Sequence, residues 1–197
     1  WCYVGKRRLE KALSQLDSSK VNVEISWYPF ELDSGSPREG SILKLDRYKQ
    51  KFGEERTKQM ITQMQQTGKE EGIQFSYGGK VGSTFNSHRL VHYAKLHGNK
   101  QNELIAIIFK YYFEQEKDIN DLNVLCDCAQ EVGYDRQEIM DFLKSNKYEQ
   151  EIQNEVERNY QQGITGVPHF TINGRYSVSG AQTPEHFMKL FSQAGII

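Results

Sequence analysis

The 197-residue sequence predicts an α/β protein in which a long helical block interrupts a smaller part that carries the strands. Three observations support this class. Alternating apolar and polar residues over 21–27 follow an amphipathic helix, a charged helix-forming stretch fills most of 41–162, and two further alternating runs flank Asn173-Gly174. The predicted order is helix, strand, helical block, hairpin and helix.

The first helix is predicted to begin at Cys2 or just after it. Its apolar face carries Leu9, Ala12, Leu13 and Leu16, which recur at helical spacing. The run over 21–27 alternates with period two and is rich in β-branched residues, so it predicts a strand that ends before Pro29. The turn-forming cluster over 33–40 then marks a boundary.

The helical block contains seven helical patterns separated by Gly or Asn breaks. They cover 41–52, 54–71, 84–97, 100–116, 120–132, 135–144 and 147–162. The pattern over 100–116 is the clearest, because its apolar residues repeat at i, i+3, i+4 and i+7. Together they predict an all-helical subdomain.

After Gly163 the sequence returns to strand patterns. Two short alternating runs lie over 169–172 and 175–178, and the Asn-Gly pair between them is typical of a type I′ hairpin turn. Thr183 then has the character of an N-cap, with Pro184 at the first helical position. A hairpin followed by a closing helix is therefore expected.

Composition limits the partners and the compartment. Lys and Arg number 25 against 26 Asp and Glu, for a net charge of −1, so no nucleic-acid partner is expected. No apolar run reaches the roughly 18 to 20 residues of a membrane span, so no membrane association is expected. Three cysteines are too few for a disulfide-stapled secreted scaffold, which favours a cytoplasmic location. The sequence leaves open whether the protein forms a homodimer.

The most informative residue for chemistry is Cys2, a thiol at a helix start. Unpaired amide groups and the helix dipole there stabilise a thiolate, and Lys6, Arg7 and Arg8 add positive charge. These features predict a thiol pKa below the free value of about 8.5, and hence a reactive cysteine. The alternative is a buried structural cysteine.

Five segments, read with this order of elements, resemble one family. They are 1–10 (WCYVGKRRLE), 29–32 (PFEL), 85–90 (FNSHRL), 163–170 (GITGVPHF) and 178–182 (VSGAQ). The chain resembles the DsbA-like thiol-disulfide oxidoreductases, specifically the FrnE-type branch. The resemblance implies a thioredoxin-like fold without its first strand in this sequence and with a large all-helical insertion. The thioredoxin-like part would be residues 1–36 and 150–197, and the helical insertion residues 37–149.

The resemblance also implies where the active site lies. In such proteins a Cys-Pro-Trp-Cys box faces a cis-proline loop, so Trp1-Cys2 would end the box. Cys2 would then be the catalytic resolving cysteine, with the attacking cysteine two positions before Trp1. The bond between Val167 and Pro168 would be cis, and the Val167 backbone would pair with substrate; the alternative is a trans proline that starts a strand. His169 would stabilise a leaving thiolate, unless strand alternation turns it away.

The expected function is dithiol-disulfide exchange on protein, peptide or small-thiol substrates. No metal or dissociable cofactor is expected, and glutathione is a candidate co-substrate. Two alternatives stay open. One is a glutathione-dependent transferase or isomerase of the kappa type, in which serine typically replaces the first cysteine. The other is a non-catalytic binding protein on a thioredoxin scaffold.

Two further groups invite a functional interpretation. Cys126 and Cys128 are two apart on a predicted helix and point about 200° from each other, so a shared disulfide or metal is disfavoured. Cys126 is predicted in the core, with Cys128 near the edge of that face. His88 and His92 lie four apart but lack further ligands at a recognisable distance, so packing roles are predicted for both.

Overall fold

The structure, a computed structural model, describes residues 1–33 and 38–197. Within these residues the elements are α1 (Cys2–Leu13), β1 (Ile42–Leu43), α2 (Lys44–Phe52), α3 (Glu54–Glu71), β2 (Lys80–Val81), α4 (Phe85–Leu96), α5 (Gln101–Phe113), α6 (Leu122–Glu131), α7 (Arg136–Lys144), α8 (Glu149–Gln161), β3 (His169–Ile172), β4 (Tyr176–Ser179) and α9 (Pro184–Gln193). The predicted boundary between residues 36 and 37 lies outside the described residues, as does the centre of the turn cluster.

Helices α2 to α8 follow the seven predicted helical patterns, with ends that differ by a few residues. The agreement has local causes, such as the Asp121 and Asp135 side chains, which cap α6 and α7 by accepting from main-chain N–H groups. One difference is at residues 42–43, which form β1 and pair antiparallel with β2 instead of starting α2. None of the described helices combines the length and apolar character of a bilayer-spanning segment.

Four helices of the insertion, α4 to α7, share the largest core. Its fully buried members include Leu90, Leu104, Leu125 and Ile139. The buried guanidinium of Arg89 ties α4 to the end of α7. It donates to the main-chain oxygens of Phe142, Leu143, Ser145 and Lys147 and to the side-chain oxygen of Asn86.

The predicted strand over 21–27 is wrong, because these residues form neither helix nor strand. Alternating residues suit one face of a sheet, but a strand also needs a neighbouring backbone that completes its hydrogen bonds. Within the described part of the chain, no strand pairs with this segment. Trp27 is held instead by the Gln101 side chain, which accepts from its N–H at 3.1 Å and donates to its carbonyl at 3.2 Å.

The predicted hairpin is present as β3 and β4, with Ile172 opposite Tyr176. Asn173 and Gly174 have φ values of 51° and 67°, the left-handed conformation that the Asn-Gly pair predicts. The connection is three residues long, however, so Arg175 belongs to the turn and not to the second strand.

The closing helix α9 completes the thioredoxin-like part. Thr183 caps it by accepting from the main-chain N–H of His186, and Pro184 occupies its first turn, as predicted. Phe187 and Phe191 pack against Ala12 of α1 and against the hairpin. The ring centroids of Phe187 and of Phe170 in the hairpin lie 4.9 Å apart. This small core fixes α1, the hairpin and α9 relative to one another.

Candidate active site

Cys2 lies on the first turn of α1 and is half-buried. Trp1 is the N-cap residue, and its carbonyl accepts from the N–H of Gly5 at 2.8 Å. The Trp1 side chain is 48% exposed, so an apolar surface is available to a partner directly beside the thiol. Cys2 forms no disulfide with any cysteine among residues 1–33 and 38–197.

Burial raises the pKa of the Cys2 thiol above its usual value, against the weaker opposing effect of a backbone hydrogen bond. The predicted lowering of this pKa is therefore wrong. The three cations that suggested it have other partners: Lys6 and Arg7 pair with Glu10, and Arg8 pairs with Glu71 at 2.6 Å. A raised pKa favours the protonated thiol over the thiolate.

The Pro168 loop packs directly on the turn that carries Cys2. The Val167–Pro168 peptide bond is cis, and Pro168 is buried. A Cβ atom on Gly5 would lie 3.0 Å from Cγ of Pro168 and 3.1 Å from Cζ of Phe170. Because real Cβ atoms rarely approach carbon so closely, glycine at position 5 is what allows the proline loop to reach the helix.

Val167, next to this contact, has main-chain polar groups without hydrogen bonds among the described residues. Its N–H and C=O make no hydrogen bond within the described residues, although the following Pro168 carbonyl accepts from Gly180 N–H at 2.8 Å. Main-chain polar groups of a half-buried residue normally find a partner. An extended peptide can supply such a partner by pairing with the exposed backbone.

His169 begins β3, and its ring is tied to the hairpin. Its Nδ1 lies 2.9 Å from the Ser179 hydroxyl oxygen, and Ser179 is its direct neighbour across the strand pair. The hydrogen bond of this ring therefore goes to β4 and not to the thiol. A role of His169 toward a leaving thiolate stays a prediction.

Sequence reasoning missed Tyr3, the residue that follows the thiol. It is 1% exposed, and its hydroxyl donates to Oε1 of Glu114 at 2.7 Å. An aromatic residue within the basic start of α1 is a detectable signal. Its partner lies 111 positions away, however, and no local pattern identifies it.

The other candidate groups have structural partners. Cys126 is buried as predicted, while Cys128 is fully buried instead of lying near an edge, and burial raises the pKa of Cys128 to about 12. His88 contacts the Phe30 carbonyl at 3.2 Å, and His92 lies 3.8 Å from Glu155. Among residues 1–33 and 38–197, no group of three or more His, Cys, Asp or Glu residues is placed to hold a metal ion.

Comparison with known proteins identifies the family. The model of the DSBA-like thioredoxin domain matches residues 1–192. The chain therefore belongs to the family of DsbA-like thioredoxin domains. It is also 28% identical over 196 residues to the Bacillus subtilis protein described as uncharacterized protein YwbO, which covers 98% of this chain and 90% of that protein.

Solved structures agree with the thioredoxin-like fold and its helical insertion. The crystal structure described as "probable DsbA oxidoreductase SCO1869" from Streptomyces coelicolor superposes with a TM-score of 0.89 at 33% identity, covering 98% of this chain and 84% of that one. A 2-hydroxychromene-2-carboxylate isomerase superposes with a TM-score of 0.65 at 15% identity, covering 98% and 88%. The second likeness shows a shared fold alone. The family supports an oxidoreductase of the thiol-disulfide class.

Proposed function

We propose that the protein catalyses dithiol-disulfide exchange with Cys2 as the resolving thiol, on protein or peptide substrates that bind along Val167. The observation that carries the proposal is the packing of Pro168 on the helix turn that bears Cys2, at the 3.0 Å approach to Gly5. This packing places a half-buried thiol and an unpaired backbone segment on adjoining surfaces. A peptide bound to that backbone would present its sulfur atoms to the first turn of α1.

The exchange requires two thiols, and the family pattern puts the attacking one two positions before Trp1. Its thiolate would attack one sulfur of a substrate disulfide, and the other substrate sulfur would leave and take up a proton. Cys2 would then lose its proton, attack the mixed disulfide and release the second substrate thiolate. Two electrons pass from the protein dithiol to the substrate, and the reverse sequence oxidises a substrate dithiol.

The burial of Cys2 supports the resolving role over the attacking one. A buried thiol with a raised pKa is a poor first nucleophile, because little thiolate is present at neutral pH. Within the mixed disulfide, however, the target sulfur is held beside Cys2, and high local concentration compensates for low thiolate content. No metal or dissociable cofactor takes part in this scheme.

Turnover of insulin disulfides by the full-length protein tests the proposal. With dithiothreitol as reductant, we expect catalysed reduction by the wild type and a fall to the uncatalysed rate in Cys2→Ser. Cys128→Ser is the matched control, since it removes a buried thiol of the insertion and should retain turnover. Equal turnover in the wild type and Cys2→Ser would contradict the proposal.

The kappa-type glutathione transferase or isomerase is the second candidate. It is retained because the chain shares its fold with a 2-hydroxychromene-2-carboxylate isomerase. It would activate glutathione and would not need Cys2 to resolve a mixed disulfide. Glutathione conjugation that survives Cys2→Ser, in a protein without insulin reduction, would favour it. Absence of both activities, with retained peptide binding, would favour the non-catalytic binding protein.

A further inference from the structure

The residue directly after the candidate site thiol is embedded in the helical insertion. Tyr3 is 1% exposed, and three phenylalanine rings surround it. Its ring centroid lies 5.5 Å from Phe109, 6.1 Å from Phe113 and 6.3 Å from Phe75. All three belong to the insertion, so the insertion holds the backbone beside Cys2 through an aromatic cluster.

The Tyr3 hydroxyl anchors this contact to one carboxylate. It donates to Oε1 of Glu114 at 2.7 Å, and Oε2 of the same carboxylate accepts from the main-chain N–H of Gln74 at 3.1 Å. Glu114 is the C-cap residue of α5, so its carboxylate is held on both oxygens at the end of a packed helix. Arg7 also donates to the Tyr3 oxygen, at 3.2 Å. A hydrogen bond to a charged acceptor is stronger than a neutral one.

Val4, the next residue, is fully buried in the same apolar cluster as Tyr3 and Phe75, so the first turn of α1 also has an apolar anchor. Pro168 and Phe170 contact it at Gly5, on the side of the hairpin. The ion pairs of Arg8 and Lys11 with Glu71 lie one to two turns farther along the helix. The position of Cys2 is therefore set between the proline loop on one side and Tyr3 and Val4 on the other, and the bond from Tyr3 to Glu114 is the polar part of the second contact.

We propose that Glu114 is a positioning residue for Cys2: through its hydrogen bond with Tyr3 it fixes the first turn of α1 against the insertion and keeps the thiol half-buried. Its meaning for catalysis rests on the redox function proposed above. The physical link between the insertion and the thiol is independent of that function, since it concerns only the exposure of Cys2. Loss of the bond should loosen the first turn and make the thiol more accessible.

A matched control exists within the same chain. Tyr93 is 3% exposed, its hydroxyl donates to the Glu138 carboxylate, and its ring lies 4.7 Å from Phe142. This pair joins α4 to α7, inside the insertion. Tyr93→Phe therefore removes the same kind of bond as Tyr3→Phe, at a place that does not adjoin α1.

The test is the rate at which iodoacetamide alkylates Cys2 in the native protein at fixed pH, followed by the mass of the peptide that carries Cys2. We expect Tyr3→Phe and Glu114→Ala to raise the rate constant by at least about tenfold, the factor that corresponds to losing one hydrogen bond to a charged group. Glu114→Gln keeps a neutral acceptor for the hydroxyl and should raise the rate less than Glu114→Ala does. Tyr93→Phe should leave the rate unchanged.

Two results would overturn the proposal. One is a Cys2 rate that Tyr3→Phe leaves at the wild-type value, and the other is an equal rise in Tyr3→Phe and Tyr93→Phe, which would show general loosening. Alkylation of Cys128, fully buried in the insertion core, reports global opening in the same samples. Accelerated alkylation in a protein that does not reduce insulin would uphold the positioning role and reject only the redox function.

Discussion

The helical insertion and the thioredoxin-like part differ in where their stability lies and where their chemistry lies. The largest buried cluster, with fourteen residues, is entirely within the insertion among the described residues. The corresponding cluster of α1, the hairpin and α9 has three, Ala12, Phe187 and Phe191. Yet the thioredoxin-like part carries Cys2, Val167 and Pro168. The comparison indicates that the smaller part holds the candidate reacting groups and depends on the larger part to hold them in place.

Contacts between the two parts show how that dependence is built. Tyr3 enters the aromatic cluster of the insertion, and His88 of α4 contacts the Phe30 carbonyl. Trp27 is held by Gln101 of α5. Each contact fixes a thioredoxin-like segment that forms little regular structure of its own or begins a helix.

The largest effect is expected for Arg89→Ala in the insertion. The substitution removes a buried cation that donates to four main-chain oxygens. The buried Leu143 oxygen would lose its donor, while the Phe142 oxygen would keep the N–H and the hydroxyl of Ser145. We expect the free energy of unfolding in urea to fall by about 3–5 kcal/mol. Arg89→Lys should lose an intermediate amount, because one ammonium cannot reach all of these acceptors. A loss below about 1 kcal/mol would show that the insertion does not depend on this residue.

At the junction, His88 should make stability depend on pH. Burial lowers the pKa of His88 from 6.5 to about 4, so the unfolded chain takes up the proton first as pH falls. Stability that is present above about pH 6.5 is therefore lost toward pH 4, with about 2 kcal/mol lost between pH 7.5 and 5.

The measurement is the difference in unfolding free energy between wild type and His88→Gln at these two pH values. The variant cannot take up the proton but keeps a donor for the Phe30 carbonyl, and its own loss reports the other titrating groups of the chain. Equal losses in the two proteins would contradict a His88 that stays neutral in the folded protein over this pH range.

The smallest effect on stability is expected for Gly5→Ala at the site. Its Cβ would lie 3.0 Å from Cγ of Pro168, so the proline loop must move away, while the helix gains up to about 1 kcal/mol in propensity. We expect stability to change by less than about 1 kcal/mol and insulin reduction to fall about tenfold, since small displacements of reacting groups are costly. Full activity in a stable Gly5→Ala protein would separate the proline loop from catalysis.

The same contrast explains how much of the fold the sequence predicts. Helices α2 to α9 follow local signals, namely apolar periodicity, Asp or Thr caps and Gly breaks, and their predicted bounds agree closely with the structure. The strand over 21–27 fails because pairing depends on a distant backbone. The hairpin turn is predicted, but its length is not, because register is set by the strands as well as by Asn173-Gly174.

For the site, the sequence predicts the thiol and the proline loop but not their surroundings. The shift predicted for the pKa of Cys2 has the wrong direction, because the dominant cause is burial, and burial depends on the tertiary structure. The partners of Arg8 and Tyr3, Glu71 and Glu114, lie 63 and 111 positions away. A single sequence shows that these residues are charged or aromatic, and only the folded chain shows which of them meet.

We propose that the redox chemistry resides at Cys2 in the thioredoxin-like part and not at the cysteines of the insertion. A glutathione redox titration of the full-length protein, with each thiol state counted by mass after alkylation, tests it most directly. We predict a two-electron couple that Cys2→Ser abolishes and that Cys126→Ser and Cys128→Ser leave in place. A couple that survives Cys2→Ser, or that disappears in Cys128→Ser, would contradict the claim.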